Sequence, residues 1–185
     1  MEHRITLPLS REKAAALSAG DPVLISGWLY TARDAAHQRL NGLLDAGLPL
    51  PFPIAEAVIY YTGPTPAPPG RIIGSAGPTT SSRMDAYTPR LLGLGLGGMI
   101  GKGKRSVEVT EAMVRAGAVY FGASGGAGAL LADRIKAAEL IAFPELGAEA
   151  IRRLLVEDFP VVVVIDSRGN NLYLSGREAY LESTH

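Results

Sequence analysis

The sequence contains no cysteine among its 185 residues. No disulfide, thiolate nucleophile or thiolate-ligated metal can therefore come from this chain. Neither charge is in excess: 18 Lys and Arg balance 18 Asp and Glu. A nucleic-acid-binding protein normally carries a basic face, so this balance argues against that class while leaving room for a local cationic pocket. Pro and Gly interrupt the apolar runs well short of the ~18–20 residues of a membrane span. Met1–Ile5 begins no apolar stretch of the length that a signal peptide needs. These absences lead us to expect a cytoplasmic protein with neither a nucleic acid nor a membrane as partner. With three His and no Cys, no complete metal site is expected from this chain's own residues.

What is present suits one α/β domain with a proper core. Apolar residues make up 47% of the chain. Glycine contributes 22 residues, about 12% against a usual value of roughly 7%, which calls for tight turns or close backbone approaches. The apolar excess fits either a surface that a partner buries or a well-packed monomer.

Ser10 is placed to cap a short helix through Ala14–Leu17, and Gly20-Asp21-Pro22 makes a turn. Val23–Tyr30 predicts a strand. Thr31 is positioned to cap a helix carrying Ala35, Ala36, Leu40, Leu43 and Leu44 at helical spacing, with Gly47 at its end. Pro49–Pro53 is a stiff connector. Further strands are expected at Ala57–Tyr61, Ile72–Ser75, Gly98–Gly101, Ala118–Gly122, Lys136–Phe143, Leu154–Phe159 and Val161–Asp166. Helices are expected from Thr80 onward, near Pro89, over Glu108–Arg115 and over Gly125–Ala132. Ser167–Asn170 reads as a turn into a final extended segment, Asn171–Leu174. In Gly63–Gly70 four residues lack a backbone N–H, so this stretch is neither helix nor central strand. The alternation of β and α gives the fold class.

Three loops carry the candidate chemistry. Gly74–Asp85 joins a strand to a helix and contains Pro78-Thr79-Thr80-Ser81-Ser82-Arg83. A helix N-terminus offers free N–H groups and a positive dipole end to an anion, and Arg83 adds a fork suited to a carboxylate. An ordinary capping run, with Thr79 or Thr80 as the cap, explains the same residues. It is no phosphate P-loop, because the Gly-x4-Gly-Lys-Ser/Thr order is missing. Gly101-Lys102-Gly103-Lys104-Arg105-Ser106 puts three cations in a flexible loop, to reach an anion or to form a solvated basic turn. Thr31–His37 sets Arg33 against the helix dipole, which suggests either a functional cation or a salt bridge to Asp34 or another carboxylate. His37, one turn on, is expected to be hydrogen-bonded near the core. Ligands in α/β sheets bind beyond the carboxyl ends of strands, where all three loops fall. Three cationic loops together suit a small dianion such as a dicarboxylate. Only Asp34 and Asp85 offer carboxylates within them, so the set reads as half of a site.

Thr31–His37, Gly63-Pro64-Thr65-Pro66, Gly74–Asp85 and Gly101–Ser106 resemble the β subunit of class I, iron–sulfur-dependent fumarate hydratases, equivalent to the C-terminal domain of single-chain forms. Phe143–Gly147 and Val156–Pro160 extend the resemblance over nearly the whole chain. It implies a single swivelling β/β/α domain over residues 1–185. It also implies a hetero-oligomer with a cysteine-containing α subunit, whose three cysteines hold a [4Fe–4S] cluster with one open iron that binds the substrate as a Lewis acid. Carried over, Thr79 matches the threonine proposed as base for the C3 proton. Arg33, Arg83 and Lys102 match the cations that hold the substrate carboxylates, and Thr80 lies in the same substrate-binding stretch. L-tartrate dehydratase β subunits share the Gly-Pro-Thr-Thr-Ser core but depart at the segments matching Gly63–Pro66 and Lys104–Ser106, where this sequence follows the fumarase pattern. Mesaconate hydration is run by close relatives, and a non-catalytic dicarboxylate-binding module is the reading from a different class.

Overall fold

The computed structural model describes residues 1–123 and 128–184. Its strands are β1 (His3–Thr6), β2 (Pro22–Thr31), β3 (Val58–Tyr60), β4 (Gly98–Gly101), β5 (Val119–Ala123), β6 (Ile135–Ala142) and β7 (Ile151–Ile165). The helices are α1 (Arg11–Ala15), α2 (Asp34–Asp45), α3 (Thr88–Gly93), α4 (Val107–Ala116), α5 (Gly128–Ala132) and α6 (Leu172–Ser183), with 3-10 turns at Ser81–Met84 and Pro144–Glu149. The strands form one sheet in the order β1-β2-β3-β4-β5-β7-β6. β1 to β5 run parallel, and β7 is antiparallel to β2, β5 and β6. The added pairing of β7 with β2 closes the circuit β2-β3-β4-β5-β7 into a barrel.

Both faces of the central strands β3, β4 and β5 are covered, which is why these read as nearly continuous apolar runs. Alternate residues divide between two cores. Val58, Tyr60, Val119, Phe121, Val161 and Val163 join one, with Leu17 beside α1 and Leu131 of α5. Ile59, Tyr61, Tyr120 and Val164 join the other, under Leu40 of α2, Leu91 of α3 and Met113 of α4.

β7 corrects an expectation. Two strands were expected, Leu154–Phe159 and Val161–Asp166, yet one strand of 15 residues runs through Pro160. The Val163 N–H donates to the Asp21 carbonyl on the β2 side. By alternation the nitrogen of Pro160 faces the other edge, between the start of β6 at Val156 and the end of β5 at Val161, so no ladder bond is forfeited. Just before it the strand kinks: Asp158 takes a positive φ of 48° and its N–H donates to Ser26 Oγ at 3.0 Å.

Three further expectations fail for local reasons. Ile72–Ser75 is not a strand, because its bonds close a loop: Ser75 N–H donates to Thr65 Oγ1 at 2.8 Å and Thr65 N–H to the Ser75 carbonyl at 3.0 Å. Thr31 ends β2 instead of capping α2, its hydroxyl accepting from Arg152 N–H at 3.1 Å. Asn171–Leu174 opens a helix: the Asn171 side chain caps it by accepting from Tyr173 N–H at 3.0 Å. Of the helix expected over Gly125–Ala132, residues 125–127 lie outside the described residues.

The turn after β7 holds an acid-sensitive lock. Asp166 has a side chain only 1% exposed. Its carboxylate accepts from the N–H groups of Ala19, Arg168 and Asn170 at 3.0–3.1 Å and from Asn170 Nδ2 at 3.0 Å. Burial pushes its pKa up, but the bonds from Asn170, Ala19 and Arg168 outweigh that, so the carboxyl titrates below its ordinary value. A depressed folded pKa contributes stability that is present above the unfolded value, near about 4, and is lost as pH falls through the folded one. Thermal melts from pH 7 to 3 should show the wild type falling steeply at the acid end. Asp166→Asn should be less stable at pH 7 by about 1–3 kcal/mol and flatter in acid. An identical acid limb in both proteins would contradict this assignment.

Candidate functional site

The candidate residues collect at the carboxyl ends of β2 and β4 and in the loop that docks there. Arg33 follows β2 and occupies the N-cap position of α2 without a side-chain cap bond. Lys102 follows β4, and a parallel bridge joins it to Thr80. Ser81 N–H donates to the Lys102 carbonyl at 2.8 Å, and Lys102 N–H to the Thr79 carbonyl at 3.3 Å. The Thr79 N–H in turn reaches the Tyr61 carbonyl, one residue past β3, at 2.7 Å. The loop from Thr79 to Ser81 is therefore clamped between two strand ends by its backbone, leaving the threonine side chains out of the scaffolding. Thr79 is half-buried, and Thr80 and Lys102 are exposed.

Glycine makes the close fit possible. A Cβ on Gly101 would strike Ser81 Oγ and Tyr61 Cδ2. Ser81 cannot simply rotate away, since its buried hydroxyl is held 2.7 Å from the Tyr120 hydroxyl, which donates to the Gly103 carbonyl at 2.9 Å. Gly101→Ala should lower stability by about 1–3 kcal/mol, read from the urea midpoint. An unchanged midpoint would show that the loop has room to shift.

Arg83 stands in the turn after Thr80, half-exposed, with Nη2 2.5 Å from Asp34 Oδ2. This pair ties the Thr79 loop to the start of α2. Arg33 pairs with neither Asp34 nor Asp85: its Nε is 3.9 Å from Glu149 Oε1, close enough for charge attraction but too long for a hydrogen bond. Glu149, in the turn following Phe143-Pro144, also accepts from Ala35 N–H at 3.3 Å and so caps α2 from outside it. A Cβ on Gly63 would lie 3.1 Å from Arg33 Cδ and Nη1, so this glycine leaves the space the guanidinium uses. His37 is 1% exposed and its Nδ1 lies 2.8 Å from the Arg33 carbonyl oxygen, as expected of a core-side histidine. Burial, foremost, pushes its pKa down to about 4, so it is neutral at physiological pH.

Neither reading of Lys102–Arg105, as anion-reaching cations or as a solvated turn, holds for Arg105. Its side chain is 0% exposed. The guanidinium donates to Asp85 Oδ1 at 2.8 Å, Thr88 Oγ1 at 3.0 Å and the Tyr61 hydroxyl at 3.2 Å. It also lies 5.2 and 4.9 Å from the ring centroids of Tyr61 and Tyr120. Burial opposes its charge, but Tyr61 and Asp85 outweigh burial, and its pKa is raised. Asp85 Oδ2 accepts from Ser106 N–H at 2.9 Å, and Ser106 caps α4 by accepting from Val109 N–H. Both loop carboxylates are thus committed, Asp34 to Arg83 and Asp85 to Arg105.

Lys102 is bridged to Thr80, Arg83 stands three residues beyond Thr80 and pairs with Asp34, and Arg33 is the residue before Asp34, near Glu149. Three cations are chemistry suited to carboxylates, and Thr79 and Thr80 each offer a hydroxyl. A cluster ligand set does not fit this chain, which has no cysteine; among the described residues, no group of three or more His, Cys, Asp or Glu could hold a metal ion.

The fumarase C-terminus family model matches residues 2–176. Fumarate hydratase 2 of Leishmania major is 43% identical over 166 residues, covering 88% of this chain and 29% of that protein. The anaerobic class I fumarate hydratase of Escherichia coli is 45% identical over 152 residues, covering 80% of this chain and 28% of that protein. A Methanocaldococcus jannaschii protein named for the β subunit of L(+)-tartrate dehydratase is 36% identical over 171 residues, covering 89% of this chain and 88% of that protein. The chain therefore spans less than a third of the fumarate hydratases and most of the β-subunit relative. With its cationic strand-end loops and a match over nearly its whole length, this chain belongs to the fumarase C-terminus family.

Proposed function

We propose that this chain is the β half of a class I fumarate hydratase, a hydro-lyase that interconverts fumarate and (S)-malate. The observation that carries the proposal is the Thr80–Lys102 bridge. It binds the loop bearing Thr79 and Arg83 to the strand end bearing Lys102, and the Arg83–Asp34 pair ties that loop to the residue after Arg33. In this reading residues 1–185 form one domain of the swivelling β/β/α type. An α partner brings the rest of the site, including a [4Fe–4S] cluster held by its cysteines, and the hetero-oligomer works in the cytoplasm.

Each residue has a role set by elementary chemistry. A dicarboxylate carries two charges, and Arg33, Arg83 and Lys102 neutralise them, the arginines through their forks and the lysine as a point charge. Thr80 contributes a donor beside Lys102. Thr79 takes the C3 proton in the dehydration direction and returns it in hydration. A threonine hydroxyl is a weak base unless activated, and the neighbouring cations favour its alkoxide. Asp34 and Asp85 are both engaged, so the group that takes the proton onward belongs to the partner.

The near-complete span of the tartrate dehydratase β relative supports a second reading, in which the partner and substrate are those of an L-tartrate enzyme. Anaerobic co-expression with a cysteine-containing α partner, followed by a substrate panel, separates the two. Fumarate turned over in preference to L-tartrate and mesaconate is the expected result. Preference for either of the others would replace fumarate in the proposal, and turnover of none would favour a binding module.

A further inference from the structure

Three buried polar atoms at the start of α2 have no hydrogen-bond partner among the described residues: Arg33 Nε, Asp34 Oδ1 and His37 Nε2. Asp34 and His37 are three residues apart in the first turn of α2, a spacing that makes side chains neighbours, and Arg33, at the N-cap, meets His37 Nδ1 through its carbonyl at 2.8 Å. The Arg33 carbonyl, Asp34 Oδ2 and Glu149 Oε1 already have partners. The Arg33 carbonyl can only accept, so the imidazole carries its hydrogen on Nδ1 and Nε2 is a bare lone pair. Asp34 Oδ2 holds Arg83, and Glu149 Oε1 is too far from Arg33 Nε for a hydrogen bond. Two acceptors and one donor are left. The acceptors cannot satisfy each other, and the neutral imidazole has no second hydrogen with which to bridge them. The rings of Tyr61 and Tyr87, with centroids 5.4 and 6.1 Å from that of His37, pack around it.

We infer that one ordered water molecule binds here, donating to Asp34 Oδ1 and His37 Nε2 and accepting from Arg33 Nε–H, which makes His37 a positioning residue for the Arg33 guanidinium. Water is the smallest group with two hydrogens and a free lone pair, and buried waters make about three hydrogen bonds to groups otherwise unpaired. The set of orphaned atoms matches that inventory one for one. Holding Arg33 at its Nε leaves both terminal nitrogens for a carboxylate. Through Asp34 the same water links Arg33 to Arg83, so the two guanidiniums are set relative to each other. The consequence for substrate rests on the function proposed above; the water site does not.

A high-resolution crystal structure of the protein tests the site directly. A density peak within about 3.2 Å of all three atoms is expected. A direct contact between Arg33 Nε and Asp34 Oδ1 with no peak between them would overturn it. In the assembled complex, His37→Leu should raise KM for the dicarboxylate about tenfold while kcat stays within about threefold, the signature of lost substrate binding. His37→Gln has an amide that offers both a donor for the Arg33 carbonyl and an acceptor for the water, so its KM should stay within about threefold of wild type. An unchanged KM in the leucine variant, or a glutamine variant as impaired as leucine, would overturn the positioning role. Should the leucine variant not fold, the density peak and the glutamine variant still decide. A peak in a complex that hydrates no dicarboxylate would support the water site and count against the proposed function instead.

Discussion

Thr79→Ala in the assembled complex is expected to lower fumarate turnover on the order of 10²–10⁴-fold, the range a general base contributes, with little change in KM. The loop would survive the change. Thr79 is held through its backbone, by its N–H to the Tyr61 carbonyl at 2.7 Å and its carbonyl to Lys102 N–H at 3.3 Å, and neither bond involves the hydroxyl. Under the proposed function, Arg33, Arg83 and Lys102 remain to bind the carboxylates. Thr79→Ser keeps a hydroxyl at the position and should retain a substantial part of the rate. If the alanine variant turns over near the wild-type rate with its cluster and substrate affinity intact, Thr79 is not the base.

The second large effect is on stability. Arg105→Ala should destabilise the protein by about 3–5 kcal/mol, the loss expected when one member of a buried ion pair is removed. Asp85 would lose its 2.8 Å partner, and Thr88 and Tyr61 would lose their donors. Two cation–π contacts would go with them. Arg105→Lys should recover only part of the loss, because a point charge cannot serve three acceptors spread around a planar fork. Urea unfolding gives the comparison; a loss below about 1 kcal/mol would show that the network is not a keystone. Because Asp85 also holds Ser106 N–H at the start of α4, the damage should spread to the loop after β4 and hence to Lys102.

The strands legible in the sequence were those buried on both faces. Val58–Tyr60, Gly98–Gly101 and Val119–Ala123 are short apolar runs between turn residues, and composition suffices to find them. The continuity of β7 was hidden because it depends on which edge faces a partner at Pro160, a property of the barrel and not of the segment. The helix after Ser167–Asn170 was hidden because Asn171–Leu174 is too short to reveal a period, and its cap is a side-chain bond. At the site, the pairing of Gly74–Asp85 with Gly101–Ser106 was legible in the glycine, hydroxyl and cationic residues that both carry, although only Gly101–Ser106 follows a strand. The separation of Lys102 from Arg105 was not. Three neighbouring cations look alike in sequence, and what buries Arg105 is Asp85, 20 residues earlier, with Tyr61 and Thr88. Glu149 was missed for the same reason: its partner Ala35 is 114 residues away.

The central claim is that this chain contributes one wall of a shared dicarboxylate site. The most direct measurement is the rate of fumarate hydration by the anaerobic complex of this chain with a cysteine-containing α partner, compared with the partner alone and with the complex carrying Arg83→Ala. Hydration by the wild-type complex that disappears in both comparisons is the predicted result. Undiminished hydration by the partner alone would contradict it.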